Sequence, residues 1–266
     1  MKAPGIPPRS ILVFFLPALV FIFSFSGKKK QFVPPGTVQI TETFFADACE
    51  ISNLSWIEYE YWTATKYGRQ SPEYIATLPD TLVWRNPKLY NEPYVSYYHR
   101  HIAYKNFPVV GITFEQAQAF CKWRTNMVKA FYALRYKKDL KIEYRLPDKQ
   151  EWEQIGTILP PSFYKKNKKQ FYSYNLNYYN PATDTGKVAE WYQYKPDVTA
   201  PVNAYEKNLL GIYNLFGNVA EMTSQKGLCK GGSFIHRPED SRPGKNIEYE
   251  GTSSWLGFRC VCSYTP

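Results

Sequence analysis

The chain reads G-I-Y-N-L-F-G-N-V-A-E-M from Gly211 to Met222, G-G-S-F from Gly231 to Phe234, and L-G-F-R-C from Leu256 to Cys260. Asn side chains often hydrogen-bond their own turns, which is one reading of Asn214 and Asn218 in the first block. Between the second and third blocks, from Phe234 to Gly257, there is no cysteine. The segment holds instead His236, Arg237, Glu239, Asp240, Arg242 and Lys245, a mixed-charge surface suited to a protein contact.

Outward from this stretch, local signals give a mixed helix and strand order. Pro34-Pro35-Gly36 marks a turn, and alternation at Val38 and Ile40 predicts a strand, with a second over Thr43 to Ala48. Ser52 or Asn53 caps a helix whose apolar positions Leu54, Ile57 and Tyr61 share one face. Pro79 to Asn106 reads mostly as loop. Thr113 and Gln116 have capping-box spacing, and Phe114, Ala117, Phe120, Cys121 and Val128 continue a helical face. A short strand over Glu143 to Leu146 leads into a second capping box, Asp148 with Glu151, and a short helix through Trp152.

A chain of 266 residues buries one sizeable core. With 47 aromatics (23 Tyr, 17 Phe, 7 Trp), 20 Pro and 15 Gly, it suits a loop-rich α+β single domain better than a helical bundle. Residues 1–26 stand apart: Lys2 and Arg9 precede an apolar run from Ile11 to Phe25, and Ser24-Phe25-Ser26 offers a small-x-small cleavage pattern. That predicts an export signal or an anchor, a linker over 27–31, and a domain over 32–266. Export to the periplasm or outer membrane implies an oxidising compartment, where five cysteines leave at least one unpaired within the chain. The net charge of +10 is concentrated at Lys165-Lys166-Asn167-Lys168-Lys169, followed by Phe171, Tyr172 and Tyr174. Such interleaving grips single-stranded nucleic acid in some proteins. For an exported chain nucleic acid is not the expected partner, which leaves a solvated loop or an anionic outer-membrane surface such as lipopolysaccharide.

The glycine-centred blocks resemble the C-terminal core of the formylglycine-generating enzyme (sulfatase-modifying factor) family, whose usual text is G-L-Y-D/N-M-x-G-N-V-W-E-W, R-G-G-S-W and G-F-R. Further matches are Glu50-Ile51-Ser52-Asn53, Arg145-Leu146-Pro147 and Glu151-Trp152-Glu153. The resemblance implies that family's fold, a C-type lectin-like one. It also implies a structural calcium ion at the turn, with side-chain oxygens from Asn214 and Glu221 and carbonyls from Gly217 and Val219, since a hard cation prefers oxygen ligands. Cys121 and Cys260 occupy positions that some family members link by a disulfide. The family's copper-binding cysteine pair lies between the second and third blocks, where this chain has none, and Ala220 and Met222 replace both tryptophans of the usual text. The reading that follows is a chain without copper and without catalysis, an accessory or scaffold protein of the envelope with Arg237 and Arg242 as its partner contacts. Rival readings remain. One is a metal-dependent oxidase, or an iron sulfoxide synthase drawing on His99, His101 and His236; the other is a glycan- or lipopolysaccharide-binding module. Segments at Leu78 to Arg85, Asn91 to Val95 and Pro108 to Gly111 also resemble the gliding-motility lipoproteins GldJ and GldK, which implies partners in gliding and type IX secretion.

Overall fold

Local capping chemistry starts the long helices. The computed structural model describes residues 32–87, 91–158, 177 and 198–265. The expected signal or anchor over 1–26, the expected linker over 27–31 and the basic run Lys165 to Lys169 with its aromatic follow-on lie outside these residues. The described residues from Val33 onward form one compact unit.

Strands β1 (Thr37–Gln39) and β2 (Phe44–Asp47) lead into helix α1 (Asn53–Tyr67), where the Ser52 side chain accepts from the Ser55 N–H. The short helices α2 (Pro72–Ile75) and α3 (Glu92–Tyr97) follow, with 3-10 turns at Thr81–Trp84 and Ile102–Tyr104. The expected loop over Pro79 to Asn106 is thus punctuated by single turns of helix. Helix α4 (Phe114–Tyr136) closes the predicted capping box: the Gln116 N–H donates to Thr113 Oγ1 at 3.1 Å, and Gln116 Oε1 accepts from the Thr113 N–H at 2.8 Å. Strand β3 (Lys141–Arg145) precedes helix α5 (Lys149–Gly156), whose Asp148–Glu151 box is also complete. Each cap is worth about 1 kcal/mol. The C-terminal part adds β4 (Ala220–Met222), β5 (Leu228–Lys230), β6 (Ile247–Glu248), β7 (Leu256–Gly257) and β8 (Val261–Thr265).

The strands form two four-stranded sheets, ordered β1-β2-β8-β3 and β6-β5-β4-β7. In the first, β8 runs antiparallel between β2 and β3, so Cys262 pairs with Phe45 on one side and Tyr144 on the other. The chain's last described strand is therefore clamped between two early ones. In the second, β4 pairs antiparallel with β5 and parallel with β7, which brings the first and third glycine-centred blocks side by side.

Trp56 stacks on Phe120 at 5.4 Å and meets Phe258 edge-on at 6.1 Å, joining α1, α4 and the third block. Such pairs add about 0.5–1.5 kcal/mol each beyond burial. A second cluster gathers Trp152, Ile155, Ile212 and Leu215 with Ala46 and Val261.

The buried face of α1 differs from the predicted one. Leu54 and Tyr61 are 52% and 59% exposed, while Asn53, Trp56, Glu60 and Thr63 are buried. Hydrophobic spacing selects the wrong face because the inward one carries two polar residues with partners elsewhere in the fold. His99 Nε2 lies 2.6 Å from Glu60 Oε1, and Asn53 donates to the carbonyls of Tyr98 and Tyr104 at 3.0 Å each.

Candidate functional site

The first glycine-centred block folds as a chain of tight turns. Asn214 and Asn218 take φ of 50° and 60°, in the left-handed region where Asn is among the tolerated residues, and Gly217 takes 77°. A Cβ at Gly217 would lie 2.5 Å from the Asn177 carbonyl oxygen, so glycine is required there. The turns aim both Asn side chains at Glu50, which accepts from Asn214 Nδ2 at 3.2 Å and Asn218 Nδ2 at 2.9 Å. Asn218 Oδ1 accepts from the Ala200 N–H at 2.7 Å, tying the returning chain to the turn. Burial pushes the Glu50 carboxyl up to about 8, with Arg259 pulling the other way and Glu221 adding to the rise.

Beside it sits a fully buried ion pair. The Arg259 Nε donates to both Glu221 oxygens at 2.7 Å, Arg259 Nη2 reaches Oε1 at 2.5 Å, and the Trp152 indole donates to Oε2 at 2.7 Å. The guanidinium also donates to the carbonyls of Asp47 and Tyr213 at 3.1 and 2.8 Å. Burial works against the charge on Arg259. The Glu221 carboxylate outweighs it, so Arg259 ends above its ordinary value. Asp47 in turn holds Arg124 bidentately at 2.7 and 2.8 Å and accepts from the Cys260 N–H at 2.9 Å.

Each residue singled out in the sequence can now be placed. Asn214 Oδ1 is buried and has no hydrogen-bond partner, as an oxygen awaiting a hard cation would be. Glu221 fits that role less well, because its oxygens already accept from Arg259 and Trp152. Gly217 lies on the turn, and Val219 is buried against the cluster of Trp84, Tyr98 and Phe234. Cys121 and Cys260 are in direct contact, Sγ to Sγ 3.4 Å, both buried and both thiols. A disulfide needs about 2.05 Å, so the two sulfurs stand together unbonded. Burial raises the Cys229 thiol to about 12, as expected of an inert buried cysteine.

Histidines are not brought together as an iron site requires. His99 is enclosed by Glu60 and Asn53, while His101 caps a 3-10 turn by accepting from the Ala103 N–H at 3.2 Å. No group of three His, Cys, Asp or Glu residues gathers as a metal cluster among the described residues.

The loop after the second block is pinned at its base. Ser233 Oγ lies 2.6 Å from His236 Nδ1, Trp255 meets the His236 ring edge-on at 4.9 Å, and buried Ser241 donates to the Arg237 carbonyl at 3.2 Å. Burial lowers His236 below its ordinary value, with Asp240 pulling the other way. Arg237 and Arg242 lie on exposed positions of this loop.

Sequence alone does not single out Glu50 or Arg259 as a site residue. The signal for Arg259 was present: it is the Arg of the quoted G-F-R block, opposite in charge to Glu221 of the first.

This frame defines a loop-rich α+β domain of the sulfatase-modifying-factor class. Residues 20–264 match the FGE-sulfatase family, described as "Sulfatase-modifying factor enzyme 1-like domain", and the chain belongs to that family. Among curated relatives, the formylglycine-generating enzyme of Mus musculus is 27% identical over 216 residues, covering 69% of this chain and 50% of its own length. That of Bos taurus is 26% identical and covers 85% of this chain and 67% of its own length. The chain thus spans about half to two thirds of these relatives. Solved structures with a similar outline include PvdO from Pseudomonas aeruginosa, at 17% identity and TM-score 0.49, covering 84% of this chain and 80% of that one. Treponema denticola variable protein 1 has 14% identity and TM-score 0.48, covering 87% and 92%.

These relatives correct the expectation that the chain is not an enzyme, since both curated proteins carry an enzyme's name. Cysteines absent from one loop do not by themselves exclude an enzyme. Their loss removes two ligands from one loop and leaves the Glu221–Arg259 frame and the Asn214 turn in place.

Proposed function

We propose that the chain is an exported cell-envelope member of the formylglycine-generating enzyme family that engages a polypeptide through the charged loop between Phe234 and Gly257. The observation that carries this reading is the architecture of the loop. Its base is fixed by Ser233, His236 and Ser241, while Arg237 and Arg242 face solvent, so a partner meets charges on a held backbone. Charge complementarity on such a surface selects the partner and speeds encounter. No thiolate pair for copper occurs in that loop. The likeness of Leu78 to Arg85 and Asn91 to Val95 to gliding-motility lipoproteins makes gliding and type IX secretion components the first partners to test. Among the described residues, no helix is long and apolar enough to cross a membrane.

The test is co-purification from envelope fractions with the protein and with Arg237→Glu combined with Arg242→Glu. The reversals are expected to lower partner recovery at least tenfold while the melting temperature is kept. Unchanged recovery moves the contact away from this loop and overturns the reading.

Calcium at the Asn214 turn belongs to the same proposal. Its support is the unpartnered Asn214 Oδ1, and the ion's part would be structural, holding the turn.

A further inference from the structure

A cavity of about 640 Å³ opens between α1 and α4, on elements that play no part in the loop contact. Two helical stripes line it. Tyr59, Trp62 and Lys66 come from α1 at i, i+3 and i+7, and Lys122, Trp123 and Asn126 come from α4 at i, i+1 and i+4. Its size lies within the 300–1,000 Å³ typical of small-ligand sites. The wall is aromatic, yet it is not closed core: Trp62 is 42% exposed and Tyr67 48% exposed. Exposed rings gathered on one concave surface mark a contact site more often than isolated ones do.

The polar groups of the cleft are unequal in kind. The Thr63 and Thr65 hydroxyls are turned back onto the carbonyls of Tyr59 and Tyr61, at 2.9 and 2.8 Å, and have no donor left for a ligand. The Trp123 indole N–H is buried without an acceptor. Lys66 and Lys122 bring two cations, Lys66 lying 4.7 Å from the centre of the Tyr67 ring, against the single carboxylate of Glu73. The cleft is therefore rich in donors and positive charge, with flat π faces beside them.

We propose that this cleft binds an acidic saccharide. A pyranose ring presents a face of C–H bonds that matches the electron-rich face of Trp62 or Tyr67, and its carboxylate and hydroxyl oxygens are acceptors for the exposed ammonium groups of Lys66 and Lys122. A neutral extended peptide fits less well, because it brings no carboxylate to Lys66 and Lys122.

The test titrates the full-length protein with tetragalacturonate and with neutral maltotetraose, read by calorimetry. Saturable sub-millimolar binding is expected for the acidic sugar only. Trp62→Ala is expected to weaken it at least tenfold, and Lys66→Glu with Lys122→Glu to abolish it. All three residues are at the surface of the cleft, so unchanged circular dichroism and melting confirm folded variants. No saturable binding of tetragalacturonate overturns the proposal, as does affinity unchanged in both variants. Equal binding of maltotetraose overturns the acidic class. Failure of the sugar alongside Trp62-dependent binding of phosphatidylglycerol vesicles would make the cleft a lipid contact and overturn the saccharide.

Discussion

Replacing Glu221 by alanine strands a charge at the centre of the fold. Arg259 is fully buried, and three of its hydrogen bonds end on the Glu221 carboxylate. The remaining hydrogen-bond partners, the carbonyls of Asp47 and Tyr213, are dipoles, and burial keeps the nearby Glu50 carboxyl, at about 8, largely protonated at neutral pH. The Trp152 indole loses its acceptor as well. Breaking one side of a buried pair costs about 3–5 kcal/mol, most of it the unpaired charge. For a domain of this size each kcal/mol moves the melting temperature by about 2–4 °C, so Glu221→Ala is expected to lower it by roughly 6–20 °C. Glu221→Leu combined with Arg259→Met removes both charges and should recover much of the loss, because the cost lies in the mismatch. Differential scanning calorimetry in the presence of chelator reads both variants without any contribution from calcium. A loss below about 3 °C for Glu221→Ala would refute the reasoning, since it would mean that Arg259 finds water or another acid on its own.

Three further outcomes are expected. Mild oxidation should join Cys121 to Cys260, giving one cross-linked peptide pair in a non-reducing digest; two separately alkylated peptides from oxidised protein would rule the bond out. Cys49, raised to about 11 first by burial and then by Glu50, should be alkylated slowly at pH 8, where about one thiol in a thousand is ionised. The rate should climb as pH approaches 11, and a rate at pH 8 matching a free thiol would show that the site is open to water. Chelation should lower the melting temperature, and Asn214→Ala should remove that response; an unchanged melting curve in EDTA means that hydrogen bonds alone hold the turn.

The capping boxes, the strand starts and the glycine-centred turns were legible because each is a local arrangement. Thr113 and Gln116, or Asp148 and Glu151, satisfy one another within a single turn of chain, so spacing alone reveals them. Glycine at 217 is likewise demanded by a backbone angle and one close carbonyl. The family followed from these short blocks in order. Absence was a poorer guide than presence, since cysteines missing from one loop said nothing of the chemistry the rest of the family frame supports.

Tertiary structure alone decided which polar residues went inside. Asn53 and Glu60 turn α1 inward because His99 and the carbonyls of Tyr98 and Tyr104 wait for them some forty residues away, and hydrophobic periodicity has no term for such partners. Lys230 is buried because Glu153 Oε1 stands 2.7 Å from its amine, 77 residues earlier in the chain. The cleft between α1 and α4 belongs to the same class of fact. Each stripe is an ordinary polar-aromatic helix face in sequence, and only the packing of Trp56 on Phe120 sets the two opposite one another. Sequence carries the local hydrogen bond; the pairing of distant charges depends on where the folded backbone places them.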